Sequence, residues 1–524
     1  MPLIDYGAAL TYDRRPLVGL TGSAGGGSKG FRTLASPGSI TYPITPSREV
    51  LKAQALRIVT VSTPTQWDNA VSNSKAGDFI DVVSTISRSG GFNYRGSKWN
   101  IKLSNGGANG TAANPVVISC APGVFFDGGG LNTFEPALDI NNVDYVWAVD
   151  INVRNSTFGF RSMNVEGDNT NRVRFARMYA ENIGYSAFVF QGWWQELDIY
   201  DPANTRPAGE EFSYGYTRYF IVEGCYASSA GLINTQFGES FYFGRGSAPG
   251  WVGWASDGII RFNVAENFTA DGIELKPGCE RITGYGNIAR YGRMHFGAAY
   301  NLLYVSGGID DRPTWRSGDP EIYWEQNRCY DLNISKTSGT TGHWPIKVGL
   351  AGCRVANNEV WSWRDANGNF GTADTLFRAI RVQIEKPVAQ FGTHPTWIIN
   401  STFWGGGVDN FGSGGTPITA LNGAVDLDLR NNLVPVGYNG GTHTADINGA
   451  DFAGPNPAVG QLSEADWNSQ GPGSAFNLDD ATSLADTGSS IADLTLKLGS
   501  EDIFRRTIDT DPEPGAFQLS FEAA

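Results

Sequence analysis

The sequence predicts an all-β chain that folds as one right-handed parallel β-helix solenoid, with an N-terminal capping helix and an extended N-terminal arm. Three observations predict this fold: short apolar strand runs recur along the 524 residues, an Asn follows many of them, and helical periodicity is missing between them. One solenoid can reach this length because each coil packs only on its neighbours. The 67 glycines suit its many turns, and the 29 Phe, 20 Tyr and 15 Trp suit its core.

The first 50 residues differ from the rest and predict a flexible arm. A glycine-rich linker runs from Gly22 to Ser28, and Pro37, Pro43 and Pro46 interrupt any regular element. Such a segment cannot bury a core of its own, so it is either disordered or ordered by a partner. It also lacks the basic region and apolar core of a signal peptide, so we expect a soluble protein that is not exported by that route.

A short capping helix is predicted within residues 51–127, which also hold the first coils. Thr63 as the N-cap, Pro64 at the first helical position and Gln66 at the third predict where the helix begins. The tripeptide 76–78, Ala-Gly-Asp, predicts its end near Lys75, and residues 79–83 predict a strand. A helix at this point would shield the open end of the core.

Residues 128–440 are predicted to form the body of the solenoid, from strand runs that an Asn often follows. Asn tolerates left-handed backbone and can hydrogen-bond the equivalent Asn one coil away, which predicts an Asn ladder at one turn. Spacings of 24 to 42 residues indicate that another turn of each coil varies in length. Residues 441–524 are expected to finish and cap the solenoid. The runs are 143–146, 173–175, 220–222, 259–262, 282–285, 322–324, 397–399 and 425–429, and the Asn residues are Asn263, Asn287, Asn327, Asn358, Asn400 and Asn432.

The charge balance and the cysteines exclude several classes of partner. The 39 Lys and Arg against 53 Asp and Glu give a net charge of −14, which repels nucleic acid and anionic membranes. No apolar stretch reaches the roughly 18 residues of a membrane span. No two cysteines form a Cys-x-x-Cys pair, so stacked, reduced and buried thiols are favoured over a disulfide or a metal site. The five are Cys120, Cys225, Cys279, Cys329 and Cys353.

Alternation within the strand runs predicts which side chains point away from the core. Phe188 and Phe190 are expected to point inward, which leaves Val189 and Gln191 outside. Aromatic and cationic side chains on such a face suit sugar rings and carboxylate or sulfate groups, so we expect a polysaccharide to lie along it. The outward set predicted in this way is Gln191, Tyr242, Glu274, Lys276, Tyr304, Lys347 and Arg381.

Two long loops flank this set, and their tryptophans are further candidates for binding the polysaccharide. Residues 192–216 hold Trp193 and Trp194, and residues 245–256 hold Trp251 and Trp254. Loops of this length are usually functional or disordered. The alternative is that these rings cover the solenoid or contact a sister chain, since exposed Trp is unfavourable without a partner.

From about Ile58 to Phe517 the chain resembles the pectate-lyase-like family of right-handed β-helix proteins. The resemblance rests on the capping helix with Ala-Gly-Asp at 76–78, on residues 109–116, on residues 270–276 and on residues 509–517. That family includes lyases, hydrolases, epimerases, adhesins and viral spikes. The fold therefore implies no single function.

Two catalytic schemes fit such a face. A glycosidase needs two carboxylates about 5 to 9.5 Å apart, and Glu239, Asp257, Asp271 and Glu274 are candidates. Asp257 and Asp271 each precede a Gly, however, so an ordinary turn is favoured for both. A β-eliminating lyase instead needs a cation to neutralise a uronate and a base to remove a proton.

For the second scheme, residues 274–276 followed by residues 292–297 resemble the chondroitinase and alginate lyase branch of the fold. That branch carries a calcium-binding Glu, a base Lys and, one coil on, an Arg in an Arg-His-Gly setting. The resemblance implies that Glu274 binds Ca²⁺, Lys276 is the base and Arg293 is the acid; no cofactor other than this Ca²⁺ is expected. The chain departs from the pattern, because it has His-Phe-Gly and no evident second acidic ligand.

A β-helix that begins at its own Met, with a flexible arm and aromatic-rich loops, also resembles a bacteriophage tailspike or another virion-attached protein. That resemblance implies a homotrimer whose arm, residues 1–50, docks on virion proteins. Its solenoid would bind, and as an enzyme degrade, a host cell-surface polysaccharide. Two alternatives stay open: a secreted cellular polysaccharide lyase or glycoside hydrolase, and a virion structural or decoration protein without glycan activity.

Overall fold

The structure is a computed structural model. It describes residues 44–95, 106–133, 135–164, 169–192, 216–234, 238–244, 254–275, 279–290, 296–297, 322–333, 346–348, 353–356, 358–364, 380–382, 396–399, 402–403, 408–410, 427–430 and 447–448. Two helices occur in these ranges, α1 at Arg48–Gln54 and α2 at Pro64–Ser72. No helix in this part of the chain is long and apolar enough to cross a membrane.

The strands form three parallel sheets, and from β2 to β32 the chain visits the sheets in turn, one strand each per coil. The first sheet holds β1 Arg57–Val61, β2 Asp78–Val82, β5 Val116–Cys120, β8 Val146–Val149, β11 Asn169–Ala176, β14 Tyr216–Glu223, β17 Trp254–Arg261, β20 Cys279–Tyr285, β23 Ile322–Glu325, β26 Arg354–Ala356, β29 Thr396–Ile399, β32 Leu427–Arg430 and β33 Ile447–Asn448. The second sheet holds β3 Ile86–Ser87, β6 Phe126–Asp127, β9 Asn152–Ser156, β12 Tyr179–Ile183, β15 Tyr226–Ala227, β18 Val264–Glu266, β21 Ile288–Arg290, β24 Arg328–Asn333, β27 Glu359–Arg364 and β30 Thr402–Phe403. The third sheet holds β4 Phe92–Arg95, β7 Pro136–Ile140, β10 Phe158–Asn164, β13 Phe188–Gly192, β16 Phe241–Phe243, β19 Ile273–Leu275, β22 Phe296–Gly297, β25 Ile346–Val348, β28 Ile380–Val382 and β31 Val408–Asn410.

This arrangement is a right-handed parallel β-helix, which confirms the predicted fold. Every predicted strand run overlaps a strand of the first sheet. The run 143–146 overlaps β8 only at Val146, because Tyr145 has a left-handed backbone (φ 53°) and delays the strand. The strong apolar runs therefore identify one of the three strands in each coil.

Helix α2 closes the first coil, as the sequence predicts. The Thr63 hydroxyl accepts a hydrogen bond from the Gln66 amide at 3.2 Å, and Pro64 is the first helical residue. The Trp67 ring is buried against the edges of Phe92 and Phe126, with ring centroids 6.2 and 4.9 Å away. The helix ends at Ser72, three residues before the predicted end at Lys75, because the backbone leaves the helical region at the next residue.

An Asn ladder is present at the turn between the first and second sheets. Asn263, Asn287, Asn327 and Asn358 are buried, and each side-chain oxygen accepts from a backbone N–H one coil earlier at 2.9 to 3.1 Å. Each side-chain amide donates to a carbonyl of the preceding coil. The expected left-handed backbone belongs instead to the residue before the Asn, as at Phe262, Gly286 and Gln326. Asn400 and Asn432 lie outside the described residues.

The five cysteines are reduced and buried, as expected. Burial raises the pKa of the Cys120 and Cys225 thiols to about 12, so both stay protonated at neutral pH. The expectation that they stack is wrong. Cys279 pairs with Ala255 in the first sheet, whereas Cys329 pairs with Ala289 in the second.

Helix α1 packs on the outer face of the first sheet. Arg48 and Lys52 both donate to the buried carboxylate of Asp81 on β2. Leu51 contacts an apolar group outside the main core that includes Phe79 and Val117. Residues 44–50, the end of the predicted arm, thus belong to the folded solenoid, and residues 1–43 lie outside the described ranges.

Candidate functional site

One row of outward positions runs along the third sheet. Parallel pairing joins its members strand by strand, with a spacing of about 4.8 Å per step. At β13, β16 and β19 the residues on both sides of the row are buried, and Phe188 and Phe190 stack on Phe241 and Phe243 with ring centroids 4.9 and 4.8 Å apart. We call this row the outer row; its members, in order, are Val189, Tyr242, Glu274, Gly297, Lys347 and Arg381.

Four members of the predicted outward set, Tyr242, Glu274, Lys347 and Arg381, occupy the outer row. Gln191 does not, because the register pairs Val189 with Tyr242 and places Gln191 two residues further along β13. The position expected for Tyr304 belongs to Gly297, since β22 supplies the strand of that coil. Tyr304 itself lies outside the described residues.

Three carboxylates converge at the outer row. Glu239 lies two residues before β16, Asp271 lies two residues before β19, and Glu274 is the middle residue of β19. One carboxylate oxygen of each lies within 4.8 Å of those of the other two, and all three residues are buried. Glu239 also accepts a hydrogen bond from the Ser186 hydroxyl at 2.6 Å. We call Glu239, Asp271 and Glu274 the carboxylate cluster.

Backbone pairing explains why these residues meet although 32 positions separate Glu239 from Asp271. Upstream of the two strands the Ser240 amide donates to the Asp271 carbonyl at 2.9 Å, so Glu239 and Asp271 hold equivalent positions on adjacent coils. A Cβ at Gly272 would lie 2.8 Å from the Ala289 side chain, so this close approach requires Gly. Treating residues 271 and 272 only as a turn therefore misses the carboxylate that Asp271 contributes.

The donor set of the carboxylate cluster fits a calcium ion. Buried carboxylates this close repel one another unless protons or a cation lie among them. Calcium binds oxygens at about 2.3–2.6 Å, so oxygens on opposite sides of the ion lie up to about 5.2 Å apart, and oxygens within 4.8 Å of one another can share one ion. Calcium also accepts flexible arrangements of carboxylate oxygens, whereas magnesium demands near-ideal octahedral geometry and usually keeps several waters. Glu239 and Asp271 would thus be the further acidic ligands of a calcium ion at Glu274, which were not evident in the sequence.

Asp257, the fourth carboxylate considered for glycosidase chemistry, lies elsewhere. It is in a bend of β17 on the first sheet (φ 53°) and accepts from Arg218 and Arg281, each at 2.6 Å. Burial alone would raise its pKa, but hydrogen bonds from Arg281 and Arg218 outweigh that effect and lower the pKa of Asp257. These ion pairs link β14, β17 and β20, so its role is structural.

Replacing Asp257 by Asn is expected to destabilise the fold in a pH-dependent way. The folded-state pKa lies below the unfolded value, so the ionised carboxylate stabilises the fold above about pH 3.9, and this contribution is lost as the pH falls through the folded pKa. Urea unfolding should show a loss of about 1–3 kcal/mol at neutral pH and a smaller loss near pH 3. An equal loss at both pH values would contradict this origin.

The upstream extension of the outer row holds an arginine that the sequence did not single out. Arg161 pairs with Val189 on one side and with Asp139 on the other. Its guanidinium donates to Asp139 at 2.9 Å and to Glu135 at 3.4 Å. These carboxylates neutralise Arg161 in place. Downstream of the carboxylate cluster the register places two basic residues in the outer row, Lys347 and Arg381, and pairs Arg381 with Asp409 on β31.

Of the remaining predicted site residues, only Trp254 lies within the described part of the chain. Trp254 is the first residue of β17 in the first sheet, opposite Tyr216, so its predicted position in a loop beside the outward set is wrong. The strand begins there because residues 254–261 pair along the length of β14. Lys276, Arg293, Trp193, Trp194, Trp251 and Tyr304 lie outside the described residues, and their roles stay predictions.

No protein-family model and no curated protein sequence matches this chain. Among solved structures, pectate lyase Pel9A is similar over 89% of this chain and 97% of its own, at 13% identity and a TM-score of 0.45. An alginate lyase from Paenibacillus sp. str. FPU-7 is similar over 69% of this chain and 97% of its own, at 16% identity and a TM-score of 0.39. A mannuronic acid specific family 6 lyase from human gut microbiota shows 12% identity over 72% of this chain and 80% of its own, with a TM-score of 0.33. All three of these neighbours are polysaccharide lyases.

Proposed function

We propose that this protein binds an acidic polysaccharide along the outer row and cleaves it by β-elimination at the carboxylate cluster. The observation that supports this most is the convergence of three buried carboxylates at the outer row, each with an oxygen within 4.8 Å of the others. Lys347 and Arg381 follow Glu274 in the same row, two and three strand spacings away, or about 10 and 14 Å. Basic residues at those positions suit the carboxylates of neighbouring uronate units.

The cluster's place in the reaction follows from the chemistry of a uronate. Ca²⁺ held by Glu239, Asp271 and Glu274 would neutralise the uronate carboxylate and so acidify the adjacent carbon. A base takes the proton from that carbon, the electron pair forms a carbon–carbon double bond, and the glycosidic carbon–oxygen bond breaks. An acid protonates the departing oxygen. We assign the base to Lys276 and the acid to Arg293, by the resemblance of their sequence setting.

Hydrolysis is the second candidate, favoured by the separation of the carboxylates. Retaining glycosidases hold their two carboxyl groups about 5–5.5 Å apart, and inverting ones about 6.5–9.5 Å apart. The carboxylate oxygens here lie within 4.8 Å of one another, which suits the retaining arrangement better than the inverting one. A hydrolase of this kind uses two carboxylates and no metal. The third buried carboxylate therefore favours the cation-assisted elimination.

The cellular location of the protein is a separate part of the proposal. We propose that it acts outside the cell. It does so either as a secreted enzyme or as a virion-attached, tailspike-like protein. The tailspike form requires a homotrimer. Sedimentation of the purified protein distinguishes the two, since a trimer has three times the 56.5 kDa chain mass and a monomer contradicts the tailspike form.

Product analysis on a panel of polysaccharides tests the proposed reaction. Polymers of mannuronate, guluronate, galacturonate and glucuronate, with a neutral glucan as control, are incubated with calcium or with a chelator. We expect one class of uronate polymer to yield products that absorb in the ultraviolet and are lighter by one water than hydrolysis products, with calcium only. Saturated products that also form with chelator would support hydrolysis instead. No product from any polymer would refute both.

A further inference from the structure

Ser186 lies beside the carboxylate cluster and hydrogen-bonds one of its members. Its hydroxyl donates to the Glu239 carboxylate at 2.6 Å, and the two residues are 4% and 3% exposed. They are 53 positions apart in the sequence, so the contact exists only because two coils stack. A serine just before a strand gives no sign of such a role in the sequence.

Backbone pairing places Ser186 in line with two members of the carboxylate cluster. The Ala187 amide donates to the Glu239 carbonyl at 3.0 Å. One coil later the Ser240 amide donates to the Asp271 carbonyl at 2.9 Å. Ser186, Glu239 and Asp271 therefore hold equivalent positions on three adjacent coils, each two residues before its strand of the third sheet. The Ser186 hydroxyl is thus the neighbour of the cluster on its upstream side.

The bond from Ser186 restricts how the Glu239 carboxylate can turn. The last torsion of a Glu side chain has only a broad preference, so the positions of its two oxygens depend on what they bond. A hydroxyl that donates to a carboxylate at about 2.5–2.7 Å makes a charge-assisted bond, about twice as strong as one between neutral groups. The observed 2.6 Å falls in this range. Ser186 therefore fixes one side of a carboxylate whose neighbours are Asp271 and Glu274.

We propose that Ser186 is a positioning residue of the cation site. Its hydroxyl orients the Glu239 carboxylate so that Glu239, Asp271 and Glu274 can share one calcium ion. This inference rests on the cation site of the proposed function and not on the reaction, because calcium binding requires no polysaccharide. Hydrogen-bond partners of metal-binding side chains commonly contribute about 10- to 100-fold to metal affinity.

Ser240 supplies a matched control. It follows Glu239 directly and is fully buried, and its hydroxyl has no hydrogen-bond partner in the part of the chain that the structure describes. Ser240→Ala therefore removes the same atom next to the same carboxylate without removing a bond to the cluster. A general disturbance of packing beside the cluster would affect Ser186→Ala and Ser240→Ala alike.

Calcium titration of the full-length protein in a calorimeter tests the role of Ser186. Ser186→Ala should weaken the affinity for calcium at least about tenfold, whereas Ser240→Ala should keep it within about twofold. In the Glu239→Gln background, Ser186→Ala should weaken the affinity by no more than about a further twofold, because the carboxylate that Ser186 orients is gone. A tenfold loss that persists in that background would mean that Ser186 acts independently of Glu239, which would overturn the positioning role.

Ser186→Cys is the second variant. A thiol occupies nearly the same place and donates only weakly, so this variant should also bind calcium more weakly. Thermal unfolding with a chelator checks that each variant is folded, and if only one of the two Ser186 variants folds, that variant decides. Unchanged calcium affinity would overturn the inference and leave the cation site in place. An unsubstituted protein that binds no calcium would refute both, whereas calcium binding without any product would refute only the elimination.

Discussion

The Glu274→Gln variant is expected to form unsaturated product from its acidic polysaccharide at least about 100-fold more slowly than the unsubstituted protein. Glu274 is the one member of the carboxylate cluster that lies within the outer row, and it is 3% exposed. Gln keeps the shape of the side chain but removes the negative charge that a hard cation requires. The initial rate of ultraviolet absorbance, measured with saturating calcium, gives the effect.

The matched control for this variant is Asp257→Asn. It removes a partly buried carboxylate charge from the first sheet, where Asp257 accepts hydrogen bonds from Arg218 and Arg281 and is not a member of the carboxylate cluster. Its rate per folded molecule at neutral pH should stay within about twofold of the unsubstituted protein, because it leaves the cluster intact. A Glu274→Gln variant that folds and keeps its rate would exclude the carboxylate cluster from the reaction.

The Asn287→Ala variant is expected to lower the free energy of unfolding by about 2–6 kcal/mol. The Asn287 side chain accepts from the Asn263 amide at 3.1 Å and donates to the Ile260 carbonyl at 2.9 Å, and both groups are buried. Alanine leaves this donor and this acceptor without partners, and each such group costs about 1–3 kcal/mol. Chemical denaturation followed by circular dichroism measures the loss.

Asn73→Ala provides the control for the ladder. Asn73 is exposed at the end of α2, and its side chain makes one hydrogen bond, to the Asn69 carbonyl at 2.8 Å. Its replacement should change the free energy of unfolding by no more than about 1 kcal/mol. Equal losses for the two variants would mean that the ladder adds nothing beyond an ordinary surface hydrogen bond.

The sequence predicts the first sheet well because its signals are local. Each run combines inward apolar residues with an Asn that repeats once per coil, so Asn263 and Asn287 could be assigned without knowing the loops between coils. The third sheet is harder, since its strands are short and long insertions adjoin them, as the segments after β13, β16 and β22 do. Strand β22 has only two residues, too few for an alternation pattern, and this is why Tyr304 was expected where Gly297 lies.

The candidate site could also be predicted only in part from the sequence. Glu274 stands out because it alternates with Ile273 and Leu275 in an apolar run. Glu239 and Asp271 join it only through the stacking of two coils, and loops of variable length hide that register. One signal was available: residues 239–242 (Glu-Ser-Phe-Tyr) and 271–274 (Asp-Gly-Ile-Glu) both place an acidic residue two positions before an inward apolar one. Aligning these two phrases would have brought the acidic residues together.

Titration of the full-length protein with calcium in a calorimeter tests the carboxylate cluster most directly, because it needs no knowledge of the polysaccharide. The unsubstituted protein should bind calcium at one site per chain that depends on the cluster. The Glu239→Gln variant should bind there at least about tenfold more weakly, and Asp257→Asn should bind normally. Calcium binding of unchanged affinity in the Glu239→Gln variant, or no binding by the unsubstituted protein, would contradict the assignment of a cation site to Glu239, Asp271 and Glu274.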